Sequence, residues 1–190
     1  MTHYEGILVS SNDVINTSAA GAEINDESLY LKIYLPSDTG RNLQVGKEFT
    51  FSLTDSIRLF YLASLKGHNQ PEKPEVPKSK ILEKDGYYFP KEAGKTYFCT
   101  VKNISKKEGN DKYGEFELKK IKAKIDKKEG QGDFLTRENP YLDSLVYASR
   151  IHVADEKEKE KIQKKVRELM KDKETELAKI IISYVEGEIK

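Results

Sequence analysis

Apolar residues in this chain recur at every second position through the first half and at every third or fourth position near the end. This change of period constrains the fold more than any other feature. "ESLYLKIYL" sets Leu29, Leu31, Ile33 and Leu35 on one face and Tyr30, Lys32 and Tyr34 on the other. "KEFTFSLTD" repeats the alternation, with Phe49, Phe51 and Leu53 inward against Thr50, Ser52 and Thr54. Side chains alternate between the two faces of a strand, so such segments bury one face of a sheet. From residue 136 the period is helical. Leu142, Leu145, Val146 and Ser149 share one face; Ile162, Val166, Leu169 and Met170, then Leu177, Ile181, Tyr184 and Val185, form two more stripes. The expected class is mainly β with α, an antiparallel sheet or barrel carrying a C-terminal all-α subdomain.

Punctuation between these segments sets the boundaries. "GILVS" is a short apolar run, "INDES" has turn chemistry, and Asp55 or Thr54 can cap a helix through "SIRLFYLASLKG". In that helix Ile57, Phe60, Tyr61 and Ser64 fall on one face, and Gly67 ends the pattern. Residues 68–95 hold Pro71, Pro74, Pro77 and Pro90 among lysines and glutamates and read as a long excursion or flap. Period-2 patterning resumes in "KTYFCTVKNIS" and "YGEFELKKIKAKI", joined by "KKEGNDK" as a hairpin turn. Asn139 as N-cap and Pro140 at the first helical position open the helical part. These boundaries divide the chain into a barrel domain at 1–134, which includes the 68–95 excursion, and a helical subdomain at 135–190.

Charge and motif content remove several function classes. The 33 basic and 32 acidic side chains leave a formal charge of +1, so no global field draws the protein to nucleic acid or a membrane. Residues 1–60 carry four Lys/Arg against eight Asp/Glu, whereas residues 66–137 carry eighteen against twelve, a modest basic bias in scattered lysines. Residues 155–190 balance ten against ten, which describes a solvated helical pair and not a nucleic-acid arm. No stretch approaches the roughly 20 apolar residues of a membrane span, and "MTHYEGILVSS" lacks a basic region followed by a long apolar run. A cytoplasmic location is expected. The single cysteine, Cys99, excludes an intramolecular disulfide and lies in a strand pattern, where a small core residue is expected over a nucleophile. His3, His68 and His152 share no helix register, so no metal site is expected. P-loop, dinucleotide-fingerprint, GxSxG and HExxH motifs are absent.

Two stretches could carry a ligand. In "INTSAAG", small residues would let the backbone approach something flat, with Asn16, Thr17 and Ser18 to bond its edge; a plain strand with a turn is the alternative. In "LPSDTGRNL", Ser37, Asp38 or Thr39 could cap a one-turn helix through Arg41, Asn42 and Leu43. Hydroxyls, helix-start N–H groups and a guanidinium together would suit a phosphate, and a cap without a ligand is the alternative.

In order, "INTSAAG", "LYLKIYLPSDTGRNL", "GKEFTFSLTDSIRLF" and "VYASRIHV" resemble a largely archaeal family of FMN-binding split β-barrel proteins without an assigned reaction. That family is related to flavin-reductase and pyridoxamine-phosphate-oxidase barrels. Its Asn-Ala-Ala-Pro-Met-Gly element is met by Asn16 and Gly21, with Thr17, Ser18 and Ala19 substituted. Its Ser/Thr-Arg-Thr-Tyr-x-Asn-Leu run is met by Ser37, Thr39, Asn42 and Leu43, with Asp38 where arginine often lies and Gly40 where an aromatic often lies. Arg41 is one candidate for the missing charge. A Phe-Val-Val-Asn-Leu-Thr-Asp strand corresponds to Phe49 through Asp55, with Ser52 for asparagine, and an Ala-Thr-Arg motif to Ala148, Ser149 and Arg150. The resemblance implies FMN as cofactor, held by Asn16, Thr17, Ser18, Ala19, Ser37, Thr39, Arg41, Asn42, Ser52 and Arg150 in a homodimer with FMN near the interface. It implies a flavin-dependent oxidoreductase, with a nicotinamide nucleotide as a possible donor and no assignable catalytic acid or base. The alternatives are a non-catalytic flavin-binding or sensing protein, and a barrel that has lost flavin and binds another phosphorylated ligand or RNA through the lysines of 66–128.

Overall fold

A computed structural model describes residues 1–12, 14–35, 37–65, 76–111 and 114–187. Four strands come from the first part of the chain: β1 (Thr2–Ser11), β2 (Ile15–Ile24), β3 (Ser28–Leu35) and β4 (Glu48–Leu53). The short helix α1 (Asp38–Asn42) joins β3 to β4, and α2 (Ile57–Ser64) follows β4. A single 3₁₀ turn (Lys78–Lys80) leads to the hairpin β5 (Ile81–Lys84) and β6 (Tyr87–Pro90). The long strands β7 (Lys95–Asp111) and β8 (Gly114–Glu129) come next, then α3 (Pro140–Ala148), α4 (Glu156–Met170) and α5 (Glu176–Val185).

Six strands close a barrel in the order β1-β2-β3-β8-β7-β4, with β4 pairing back onto β1. Its interior is filled by the inward residues of every strand, among them Leu8, Leu29, Leu31, Phe49, Phe51, Leu53, Val101 and Ile121. Cys99 belongs to this core, and burial pushes its thiol well above the usual range. Gly6 makes room for the ring of Phe51, since a Cβ there would sit 2.6 Å from the ring's Cζ. The Asn25 side chain accepts from the N–H groups of Glu27 (3.1 Å) and Ser28 (2.7 Å), which tightens the β2–β3 turn.

A second apolar cluster lies outside the barrel. Ile7 and Val9, on the outer face of β1, pack with Leu59, Phe60 and Ala63 of α2 and with Leu142, Leu145, Ile162, Val166, Ile181 and Val185 of the C-terminal helices. β1 is therefore covered on both faces, which explains why "ILV" reads as an unbroken apolar run and not as an alternation. β8 ends at Glu129 and α3 starts at Pro140, on either side of the boundary expected at 134/135. Asn139 caps α3, accepting from the N–H groups of Tyr141 (3.0 Å) and Leu142 (3.2 Å).

"INTSAAG" lies wholly within β2, the strand of its second reading but without a turn. Several expectations are corrected. The cap of α2 is Ser56, not Asp55 or Thr54, because the Thr54 hydroxyl is engaged with the Glu92 carbonyl (2.8 Å) and the Ser56 N–H (3.0 Å). The most buried residues of α2 are Leu59, Phe60 and Ala63, with Ile57 and Tyr61 half-buried against the same cluster and Ser64 half-buried at the helix end, because packing on β1 and the C-terminal helices centres the buried face on Leu59, Phe60 and Ala63. Leu169, Leu177 and Tyr184 are half-buried, Met170 is buried as its stripe implies, and Ala178 joins the buried face of α5. "KKEGND" continues β7 as strand, paired with β8 as far as Asp111 opposite Gly114, and residues 112–113 lie outside the described residues. Gly67 and 68–75 of the excursion also fall outside them. The rest of the excursion forms the β5–β6 hairpin, which lies over β4 and covers its hydroxyl face: Thr50 donates to the Tyr88 carbonyl (2.6 Å).

Candidate functional site

On the outer face of the barrel, residues of β1, β2, β3, β7 and β8 meet residues of the helices. A cleft of about 1060 Å³ opens there, walled by Ser37 and Thr39 at α1, Ala63 and Ser64 at the end of α2, Ser149 and Arg150 after α3, and Tyr184 of α5. Its floor includes Ala19, Gly21, Glu5 and His3. The β1–β2 register sets Gly21 opposite Glu5, and a Cβ at Gly21 would come within 2.8 Å of the His3 ring. Glycine there keeps the floor flat.

One corner is held by a polar cluster. Asn16 Nδ2 donates to Thr39 Oγ1 (2.9 Å), and Ser18 Oγ shares a second hydrogen bond with the same oxygen (2.9 Å). These bonds tie α1 to β2. Ser37 is the cap of α1: its Oγ accepts from the Gly40 N–H (3.0 Å) and donates to the Tyr34 carbonyl (2.6 Å). Lys119 holds the other end of α1 through the carbonyls of Gly40 and Leu43, the latter at 3.1 Å. The capping alternative is therefore present in the geometry, and it occupies the hydroxyl of Ser37.

Five cationic side chains line the cleft, Lys32, Lys120, Lys122, Arg137 and Arg150, against two carboxylates, Glu5 and Glu23. Arg137 bridges Asp143 (2.8 Å) and Glu5 (3.4 Å) and lies 6.0 Å from the Tyr147 ring centre, so it is anchored to the floor from two sides. His3 Nε2 lies 3.4 Å from the same Glu5 oxygen. Tyr184 pairs with His152 through its hydroxyl (2.7 Å), and burial raises its phenol pKa. The excess of positive charge suits an anionic ligand.

The ten residues expected to hold a cofactor divide between the cleft and other surroundings. Ser18, Ala19, Ser37, Thr39 and Arg150 line it, and Asn16 stands directly behind Thr39. Thr17 points to the opposite face, where its Oγ1 accepts from the Val76 N–H (3.3 Å). Arg41 is ion-paired with Asp38 on the exposed side of α1. Asn42 Nδ2 donates to Ser10 Oγ (3.3 Å). Ser52 is fully buried against Thr96 (2.9 Å), because the β5–β6 hairpin covers that face of β4. Sequence reasoning missed Glu5, Lys32 and Arg137, and held Lys120 and Lys122 only among the scattered lysines of 66–128. The outward position of Lys32 in the β3 alternation was a usable signal; Arg137, in an irregular segment, offered none. Among the described residues no group of three or more His, Cys, Asp or Glu is placed to hold a metal, and no helix is long and apolar enough to cross a membrane.

Comparison with known proteins agrees with this architecture. The crystal structure of an FMN-bound protein from Methanosarcina mazei aligns with a TM-score of 0.70 at 15% identity, covering 97% of this chain and 94% of that one. Nitrilotriacetate monooxygenase component B from Bacillus cereus aligns at 0.53 and 15% identity, covering 69% of this chain and 71% of its own. Flavoredoxin from Methanosarcina acetivorans aligns at 0.53 and 12% identity, covering 73% and 76%. At these identities the likeness establishes the fold, that of flavin-reductase-like barrels. No curated protein matches the sequence. The profile described as "Protein of unknown function (DUF447) N-terminal domain" matches residues 4–127, well over half of the chain, and the protein belongs to that family.

Proposed function

We propose that this chain binds FMN in the cleft and works as a flavin-dependent oxidoreductase of the flavin-reductase type, with a nicotinamide nucleotide as electron donor. The observation that carries this is the convergence, in one cleft, of a small-residue floor, the Asn16–Ser18–Thr39 cluster and a cationic lining. The volume fits: pockets for drug-sized ligands span roughly 300–1,000 Å³, and this one is about 1060 Å³. That a barrel neighbour covering nearly the whole chain is FMN-bound supports the assignment.

FMN, when bound, supplies the hydride and electron chemistry. The chain's own residues bind and orient. Ala19 and Gly21 leave a flat surface on which a planar ring can lie, and Ser18 is held at the corner by Thr39 so that its hydroxyl is pre-positioned. In this reading Arg150 and Ser149, which line the cleft, meet the phosphate, and Arg41, which lies outside the lining on the exposed side of α1, does not. Arg137, fixed by Asp143 and Glu5, holds a positive charge beside the floor. We further propose a homodimer in which the open side of the cleft is covered by the second copy.

The absorbance spectrum of purified protein tests the first step, a yellow preparation with flavin bands being the expected result. Bleaching on anaerobic addition of NADH or NADPH tests turnover. A colourless protein that takes up no FMN on titration would overturn the proposal. Flavin without bleaching would leave a binding protein only. Light scattering at about twice the mass of one chain is expected for the dimer.

A further inference from the structure

Beyond the corner assigned to the flavin, the same cleft contains a second built feature on β3, β8 and β7. The antiparallel register puts Lys32 directly opposite Lys120, and Tyr30 directly opposite Lys122. On the other side of β8, Ser105 stands opposite Lys120 and Asn103 opposite Lys122. All six line the cleft. Directly opposed side chains have Cβ atoms about 4.5–5.5 Å apart, and like charges so placed repel. Lys120 and Lys122, two positions apart on one strand, are about 6.6–6.8 Å apart along it.

Neighbouring lysines of the same ribbon are neutralised locally. Lys106 pairs with Glu117 (2.9 Å), Lys124 with Asp126 (3.0 Å) and Lys127 with Glu129 (2.5 Å). Lys32 and Lys120 have no carboxylate within ion-pair distance among the described residues, and Lys122 contacts only the Tyr30 ring, 5.8 Å from its centre. The carboxylate next to this group, Glu23, lies opposite Tyr30 on the far side from Lys122. A sheet that opposes two lysines without an acid between them spends folding stability at that point. An oxyanion between the two ammonium groups would reverse the sign of the interaction, with Ser105 and Asn103 as hydrogen-bond donors at its edge.

We propose that Lys32, Lys120 and Lys122, with Ser105 and Asn103, form a phosphate or diphosphate subsite on the sheet face, separate from α1, with the Tyr30 ring beside it as a stacking surface for a base. Three positive charges in a row match a diphosphate better than a single monoanion. The phosphoryl group has two possible sources, the flavin's own phosphate or a separate nucleotide sharing the cleft. The proposal rests on the cleft of the proposed function for its location, but not on flavin for its test.

The test compares the wild type with Lys32→Gln, Lys120→Gln and the double variant. Inorganic pyrophosphate and ADP are titrated by calorimetry at two salt concentrations, FMN and riboflavin by fluorescence, and mass is measured by light scattering. The expected result is pyrophosphate and ADP binding to the wild type that weakens tenfold or more in each single variant and further in the double, with riboflavin unaffected. If FMN weakens in parallel, the flavin phosphate is the occupant; if FMN is unchanged, a separate nucleotide is. The subsite is overturned if the wild type binds neither pyrophosphate nor ADP. It is also overturned if the double variant binds both within twofold of the wild type, including the case where its mass falls, which would assign the lysines to a subunit contact. Failure of riboflavin and FMN to bind the wild type would overturn the proposed function alone, because the pyrophosphate titration still decides the subsite.

Discussion

Thr39→Val isolates the polar cluster that ties α1 to the barrel. The substitution keeps the branched shape of the side chain and replaces one hydroxyl by a methyl, so the change it reads is the loss of two hydrogen bonds. Thr39 is 4% exposed, and its Oγ1 partners both Asn16 Nδ2 and Ser18 Oγ at 2.9 Å. A neutral hydrogen bond contributes about 0.5–1.5 kcal/mol net, so the pair contributes about 1–3 kcal/mol. Asn16 and Ser18 are half-buried and Ser18 faces the cleft, where water can replace part of the loss, so the lower half of that range, about 1–2 kcal/mol, is expected. For a chain of this length that corresponds to a drop in Tm of roughly 2–8 °C. Urea denaturation gives the free energy and scanning calorimetry the temperature. In flavin titrations the variant should weaken FMN and riboflavin alike, since Ser18 and the α1 corner shift for both ligands. A destabilisation below about 0.5 kcal/mol would refute the view that this cluster fixes α1. A selective loss of FMN alone would show that Thr39 bonds the phosphate directly.

Three further outcomes are expected. Arg150→Ala should weaken FMN by roughly tenfold to a hundredfold, the equivalent of one charge-assisted bond of about 1.5–3 kcal/mol, whereas Arg41→Ala, already paired with Asp38, should change it less than about threefold; fluorescence titration compares them. Met170→Ala should cost about 2–5 kcal/mol by chemical denaturation, because Met170 is 1% exposed. Leu169→Ala, half-buried on the same helix, should cost less than half as much, and equal losses would show that the register of α4 against α3 and α5 is wrong. Glu92 is held below the usual carboxylate range by hydrogen bonds from Lys80 and Ser56. Its contribution is present above its unfolded pKa and lost as pH falls through the folded one. The urea midpoints of wild type and Glu92→Gln should therefore differ near neutrality and converge below about pH 4.

The sequence alone determined the elements whose causes are local. Alternation in "ESLYLKIYL" sent Leu29, Leu31 and Ile33 into the barrel, and Asn139 with Pro140 marked the start of α3, because side-chain direction in a strand and capping at a helix start depend on residues only a few positions apart. Ordered motifs identified the family, and Ser18, Ala19, Ser37, Thr39 and Arg150 do meet in one cleft. The tertiary structure decided what depends on pairing between distant segments. Ser52 and Thr17 belong to ligand-like motifs but face other elements, because which outer faces the β5–β6 hairpin and the helices cover is not written in local periodicity. Arg41 was plausible by type, yet its charge is offset by a carboxylate three residues away, once α1 is wound. The lysines were legible only as scattered charge: Lys124 and Lys127 each meet an acid two positions along their own strand, but that Lys32 opposes Lys120, while Lys106 meets Glu117, follows from a strand register set by the whole barrel's closure.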